Sequence, residues 1–187
     1  MKKTLETKYK YIEFDDDMVI STYYWFNDYE YNYKSGNDDF NEYKKYILEC
    51  YEIAKIFNLK IIEYDDEYIK TSFPRYDNNL LMYFDENICD DNIEKYKTIQ
   101  PQLLEIIKLL KENNIMHDDL AFRNICYKIE NNEIKLYLID FETLTRDNDF
   151  TYFLSYIYND IKDLIGKSFS DEFIIKTNEI LGINEKY

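Results

Sequence analysis

Apolar and polar positions along this chain assign most of it to short strands and amphipathic helices. Residues 7–14 (TKYKYIEF) read as a strand, and 18–26 (MVISTYYWF) as a second one rich in β-branched and aromatic side chains. Asp15-Asp16-Asp17 is the polar turn between them. Residues 29–34 (YEYNYK) alternate Tyr with polar side chains, which predicts a half-buried strand after a turn at Asn27-Asp28. Ser35-Gly36-Asn37 breaks the pattern, and Asn37 or Asp38 can cap a helix. Phe40, Tyr43, Ile47, Cys50, Ala54 and Phe57 then recur at steps of three and four, one face of a helix over about 38–57.

Residues 59–64 and 67–73 read as a hairpin around Asp65-Asp66, ended by Pro74. Leu80 to Phe84 reads as a short helix. Pro101 stands where a helix can begin, since a first-turn proline sacrifices no hydrogen bond. Leu103, Leu104, Ile107 and Leu110 supply that helix with a buried stripe, and Asn113-Asn114 ends it. Residues 125–129 and 134–139 flank the polar turn Glu130 to Glu133 as another hairpin. Helices over 149–165, capped by Asp147 or Asn148, and over about 170–181, ending at Gly182, complete the chain. The order is an α+β pattern with a β-rich front and an α-rich back.

Composition narrows the class. The chain has 187 residues, 45% of them apolar and 18% aromatic, enough to build a real core. The net charge of −15 repels phosphate backbones, which argues against nucleic-acid binding. No stretch of about 18 apolar residues predicts a membrane span, and the start MKKTLETKYK lacks the apolar core of a signal peptide. Cys50, Cys89 and Cys126 are odd in number and far apart, which fits reduced thiols in a cytoplasmic protein. The bias toward Lys, Asn, Ile, Tyr and Asp is that of an AT-rich genome; for a viral chain the compartment would be the host cytoplasm.

One constellation carries chemistry. His117-Asp118-Asp119-Leu120-Ala121-Phe122-Arg123-Asn124 is followed sixteen residues later by Asp140-Phe141-Glu142. It resembles the catalytic loop and metal-binding motif of the protein-kinase-like superfamily. Phosphoryl transfer asks for a carboxylate beside the attacking hydroxyl and for metal ions on the phosphates. A five-residue step from Asp119 to Asn124 lets one loop present a base and a metal ligand, and Asp140 approaches from the next hairpin.

That resemblance implies a bilobal fold, with a reduced β-rich N-lobe over 1–73 and a truncated α-rich C-lobe over 74–187. It implies ATP and Mg²⁺ as cofactors, and a hydroxyl on a protein or small molecule as acceptor. Asp119 resembles the catalytic base, Asn124 and Asp140 the magnesium ligands, and His117 the structural His of the loop. Ala121 and Arg123 echo the D-L-A-A-R-N of tyrosine kinases, where the Arg helps to place the substrate; a salt bridge from Arg123 to Asp118 or Glu142 is the plainer alternative. Glu67 to Phe84 resembles the stretch from strand five through the hinge, so adenine would pair with backbone near Thr71 to Phe73. Tyr31 to Lys34 stands where the family places its strand-three lysine. Lys34 would then hold the α- and β-phosphates and pair with Glu49 or Glu52, or else it is a solvated lysine.

The pattern also departs from the family. There is no Gly-rich loop, and Asp15-Asp16-Asp17 would repel phosphate. Asp118 replaces the Arg that reads a phosphorylated activation loop. Asp-Phe-Glu resembles the small-molecule branch, the choline kinases and aminoglycoside phosphotransferases. No A-P-E sequence follows, and 45 residues remain after Glu142. The competing readings are a pseudokinase that binds a protein partner, and a structural protein with a Tyr-rich surface.

Overall fold

The computed structural model describes residues 3–32, 39–84, 88–146 and 154–183. It is a mixed α+β structure of two compact units, Met1–Arg75 and Tyr76–Tyr187.

The first unit is built on a five-stranded antiparallel sheet. Its strands are β1 (Lys3–Glu6), β2 (Lys10–Phe14), β3 (Met18–Tyr23), β4 (Lys60–Tyr64) and β5 (Ile69–Pro74), in spatial order β1-β2-β3-β5-β4. Helices α1 (Trp25–Asn32) and α2 (Phe40–Ala54) connect β3 to β4. The expected helix over 38–57 is therefore present as α2 and a 3-10 turn over Lys55–Phe57, capped by Asp39, whose side chain accepts from Asn41 N–H. Its inner face buries Tyr43, Ile47, Cys50, Tyr51 and Ala54. The hairpin around Asp65-Asp66 is also formed.

Two expectations in this unit are corrected. The strand expected over 7–14 is shorter, β2 at Lys10–Phe14, and β1 at Lys3–Glu6 precedes it, with Thr7 closing the turn between them: its Oγ1 accepts from Lys10 N–H at 2.9 Å. Asp15-Asp16-Asp17 thus joins the second and third strands, and the first turn is Thr7-Lys8-Tyr9. Residues 29–32 are helix rather than strand, and 33–34 lie outside the described residues. The reason is a buried acid. Asp28 is only 7% exposed and accepts from the hydroxyls of Tyr23 and Tyr43. Trp25 and Asp28 therefore face inward at helical spacing, although the polar pattern marks Asp28 as a turn residue.

The second unit holds α3 (Asp90–Glu112), α4 (Ser155–Leu164) and α5 (Lys167–Leu181) with small sheets. The strands are β6 (Asn78–Asn79), β7 (Met116–His117), β8 (Ile125–Glu130), β9 (Glu133–Leu138) and β10 (Leu144–Thr145). β8 pairs with both β6 and β9, and β7 pairs with β10. The β8–β9 turn carries Asn131 and Asn132 at φ 53° and 65°, the double left-handed geometry of a tight hairpin. Leu80–Met82 forms a 3-10 turn capped by the Asn79 side chain. α5 ends at Gly182 with φ 72°, as its composition predicts.

Pro101 does not begin a helix. α3 starts eleven residues earlier, with Asp90 and Asp91 favourably placed in its first turn. Asn92, Tyr96, Ile99, Leu103, Ile107 and Leu110 form one continuous buried stripe across the proline. That stripe outweighs the single hydrogen bond an interior proline forfeits. Leu110, Leu120, Phe122, Ile125, Leu144, Ile161 and Phe173 are fully buried and form the core behind the segment that carries His117 to Asn124. Among the described residues, no helix is long and apolar enough to cross a membrane.

Candidate active site

β7 enters the site with His117, which is fully buried and paired across the short sheet with Leu144. Asp119 N–H donates to His117 Nδ1 at 3.3 Å. Nδ1 is then an acceptor, so Nε2 carries the proton and donates to the Ile139 carbonyl at 2.8 Å. Thr143 Oγ1 stands 3.1 Å from the same Nδ1 and donates to the Asp140 carbonyl. The imidazole therefore joins the loop at 117–124 to the segment at 139–143. Burial lowers its pKa below the ordinary value, against the opposite pull of the Ile139 carbonyl and of the Asp140, Asp119 and Asp118 carboxylates. It stays neutral, which suits a positioning role and not a proton shuttle.

Asn124 closes the loop on itself. Its Nδ2 donates to the Asp119 carbonyl at 2.9 Å and to Asp119 Oδ2 at 2.7 Å. With both amide hydrogens committed, Oδ1 is the atom that can meet a cation. The Asn124 carbonyl accepts from Ile139 N–H at 3.0 Å, which fixes the residue before Asp140 against the loop. Asp140 itself has φ 65° and ψ 58°. Among the described residues, the other non-glycine residues in the left-handed region are asparagines at helix ends and in the hairpin turn. A non-glycine residue held there costs energy and is a recurrent property of functional sites.

Arg123 donates through Nη2 to Asp119 Oδ1. Neither Asp118 nor Glu142 takes this ion pair: Asp118 Oδ1 accepts from Thr145 Oγ1 at 3.4 Å. Each Asp119 oxygen thus has one donor and keeps lone-pair capacity for another. The Asp119 side chain is 25% exposed, within reach of a hydroxyl from solvent.

Two site residues are not legible as such in the sequence, and both lie on α4. Asp160 Oδ2 accepts from Phe122 N–H at 2.7 Å. Burial raises its pKa above the ordinary carboxylate value, while the Phe122 N–H and the Arg123 charge pull the other way. Tyr156 lies against the Arg123 guanidinium, 5.4 Å from its ring centroid. The one available signal was Asp160 itself, a carboxylate between Ile157 and Ile161 on the apolar stripe.

The expected ATP contacts belong to the other unit and fit less well. Thr71 is 1% exposed and pairs with Ser21 of β3 on one side and Ile61 of β4 on the other. An interior strand has no spare backbone edge for adenine, so Thr71 is not a hinge residue. Phe73 pairs with Val19 and lies beyond the last β4 partner. Glu49 is on the exposed face of α2, 4.0 Å from Lys45. β3 contains no lysine to pair with it. Lys34 lies outside the described residues.

Asn124 and Asp140 offer an amide and a carboxylate, the hard oxygen donors that suit magnesium. Among the described residues, no group of three His, Cys, Asp or Glu side chains gathers to hold a metal ion. A magnesium ion here would take its remaining ligands from phosphate and water, its ordinary habit in phosphotransfer sites. Compared with known proteins, the chain matches no family model and no curated sequence.

Proposed function

We propose that this chain is a minimal protein-kinase-like phosphotransferase that moves the γ-phosphate of ATP to a hydroxyl of a protein or small molecule. The observation that carries the reading is the closed loop: Asn124 holds Asp119 by backbone and side chain, while His117 ties both to the segment of Asp140. A sheet with a helical insertion before β4, followed by a helical second unit, supports the same reading.

In this reading Asp119 accepts the hydroxyl proton as the acceptor oxygen bonds to the γ-phosphorus and the bridging P–O bond breaks toward ADP. Asn124 Oδ1 and the Asp140 carboxylate would hold magnesium, which would supply charge neutralisation at the phosphates. Arg123 and Asn124 keep the Asp119 carboxylate aimed. The Asp118 side chain bonds Thr145 in place of the arginine that reads a phosphorylated loop, so activity would not depend on such phosphorylation.

The test is release of ADP from Mg-ATP, measured with pooled small-molecule and peptide hydroxyl acceptors. Acceptor-dependent turnover that Asp119→Asn abolishes supports the reading. Mg-ATP binding with no turnover on any acceptor would instead favour a pseudokinase that serves as a protein-binding module.

A further inference from the structure

One turn of α4 carries two side chains that meet consecutive residues of the catalytic loop. Asp160 takes the Phe122 N–H, and the Tyr156 ring lies against the Arg123 guanidinium at 5.4 Å from the centroid. That distance is within the range of cation–π attraction. The same guanidinium donates to Asp119. Tyr156 is 47% exposed, while α4 fills the core with Ile157 and Ile161, so the core does not require this ring. Arg123 is 50% exposed. An arginine so placed loses considerable rotamer freedom when fixed, and an exposed ion pair alone holds it weakly. A flat ring is the second contact that confines it.

We infer that Tyr156 is a positioning residue: its ring confines the Arg123 guanidinium to the placement from which it steers the Asp119 carboxylate and meets the acceptor. The catalytic consequence rests on the phosphotransferase reading; the placement of Arg123 does not. Removing the ring frees Arg123 to follow solvent, and Asp119 loses one of its two side-chain donors for much of the time. The rate of transfer then falls while Mg-ATP binding, which Asn124 and Asp140 serve, is unchanged.

The test compares Tyr156→Leu and Tyr156→Phe in two measurements. First, without nucleotide, the Arg123 side-chain Nε–H resonance is followed by NMR. Ring current is expected to displace it in the wild type and in Tyr156→Phe, and Tyr156→Leu should return it to the position of a free arginine. Second, kcat for transfer should fall several-fold in Tyr156→Leu and recover in Tyr156→Phe, with KM for Mg-ATP unchanged, the scale expected of a half-exposed cation–π contact. Both variants should stay folded and melt close to the wild type, Tyr156→Leu slightly lower, since the ring lies outside the core. The inference is overturned if the Arg123 resonance is the same in wild type and Tyr156→Leu, or if Tyr156→Phe loses as much rate as Tyr156→Leu. A wild type that transfers no phosphate removes the functional reading, and the resonance comparison alone then decides the positioning claim.

Discussion

Asn124 donates to Asp119 twice, to its carbonyl at 2.9 Å and to its side-chain Oδ2 at 2.7 Å, so the two ends of a five-residue loop span are locked together. Asn124 is only 7% exposed. Asn124→Leu removes both bonds and strands the Asp119 carbonyl, at a cost of about 1–3 kcal/mol. Asn124→Asp should destabilise at least as much at neutral pH, because a second carboxylate would face Oδ2 of Asp119. Urea unfolding of the metal-free protein checks both; a midpoint equal to wild type in either variant would contradict the described loop.

His117 predicts a pH dependence. Its folded-state pKa lies below the unfolded value because the ring is buried. Below about pH 6.5 the unfolded chain binds a proton that the folded chain refuses. This contribution to stability is complete above that pH and is lost as pH falls through it. Wild type should therefore lose more stability between pH 7.5 and 5.5 than His117→Gln, by chemical denaturation at each pH. Equal losses would show that the imidazole does not carry the slope.

Asp160 separates two effects. Its carboxyl is held above the ordinary value by burial, so charge there is disfavoured. Asp160→Asn keeps an acceptor for the Phe122 N–H and should leave stability at pH 7 unchanged or slightly raised. Asp160→Ala leaves that N–H unpaired and should cost about 1–3 kcal/mol. Thermal or urea unfolding of the pair distinguishes them, and equal destabilisation by both would refute the account.

The first unit offers an independent check of its buried acid. Asp28 gathers the Tyr23 and Tyr43 hydroxyls, which also lie 2.6 Å from each other. Burial, then Tyr43 and Asp28, push the Tyr23 phenol far up, so its hydroxyl remains a donor at any ordinary pH. Asp28→Leu removes the shared acceptor of both hydroxyls and should cost more than Tyr23→Phe, which removes only one donor. Circular dichroism with urea would report it, together with loss of helix from α1.

Where the sequence was legible, local chemistry decided the structure. The α2 stripe, the Asp65-Asp66 hairpin and the Asn131-Asn132 turn each follow from neighbours within a few residues. The loop from His117 to Asn124 was legible for the same reason: the bonds that close it on itself, from Asp119 to His117 and from Asn124 to Asp119, span five residues or fewer. What was hidden depends on distant partners. Asp28 reads as a turn residue until Tyr43 is beside it, and Pro101 reads as a helix start until the buried stripe on both sides is seen. Thr71 reads as a hinge until β4 and β3 flank it. Tyr156 and Asp160 sit more than thirty residues from the loop they hold, with no spacing rule to join them.

In the proposed reading Asn124 and Asp140 form a magnesium–nucleotide site beside Asp119. The most direct measurement is the unfolding free energy of wild type and Asp140→Asn with and without saturating Mg-ATP. At a ligand concentration one hundred times its dissociation constant, wild type should gain about 2.7 kcal/mol. Asp140→Asn should gain little, and neither should respond to ATP in EDTA. No gain for wild type at millimolar Mg-ATP, or an equal gain for Asp140→Asn, would contradict the account.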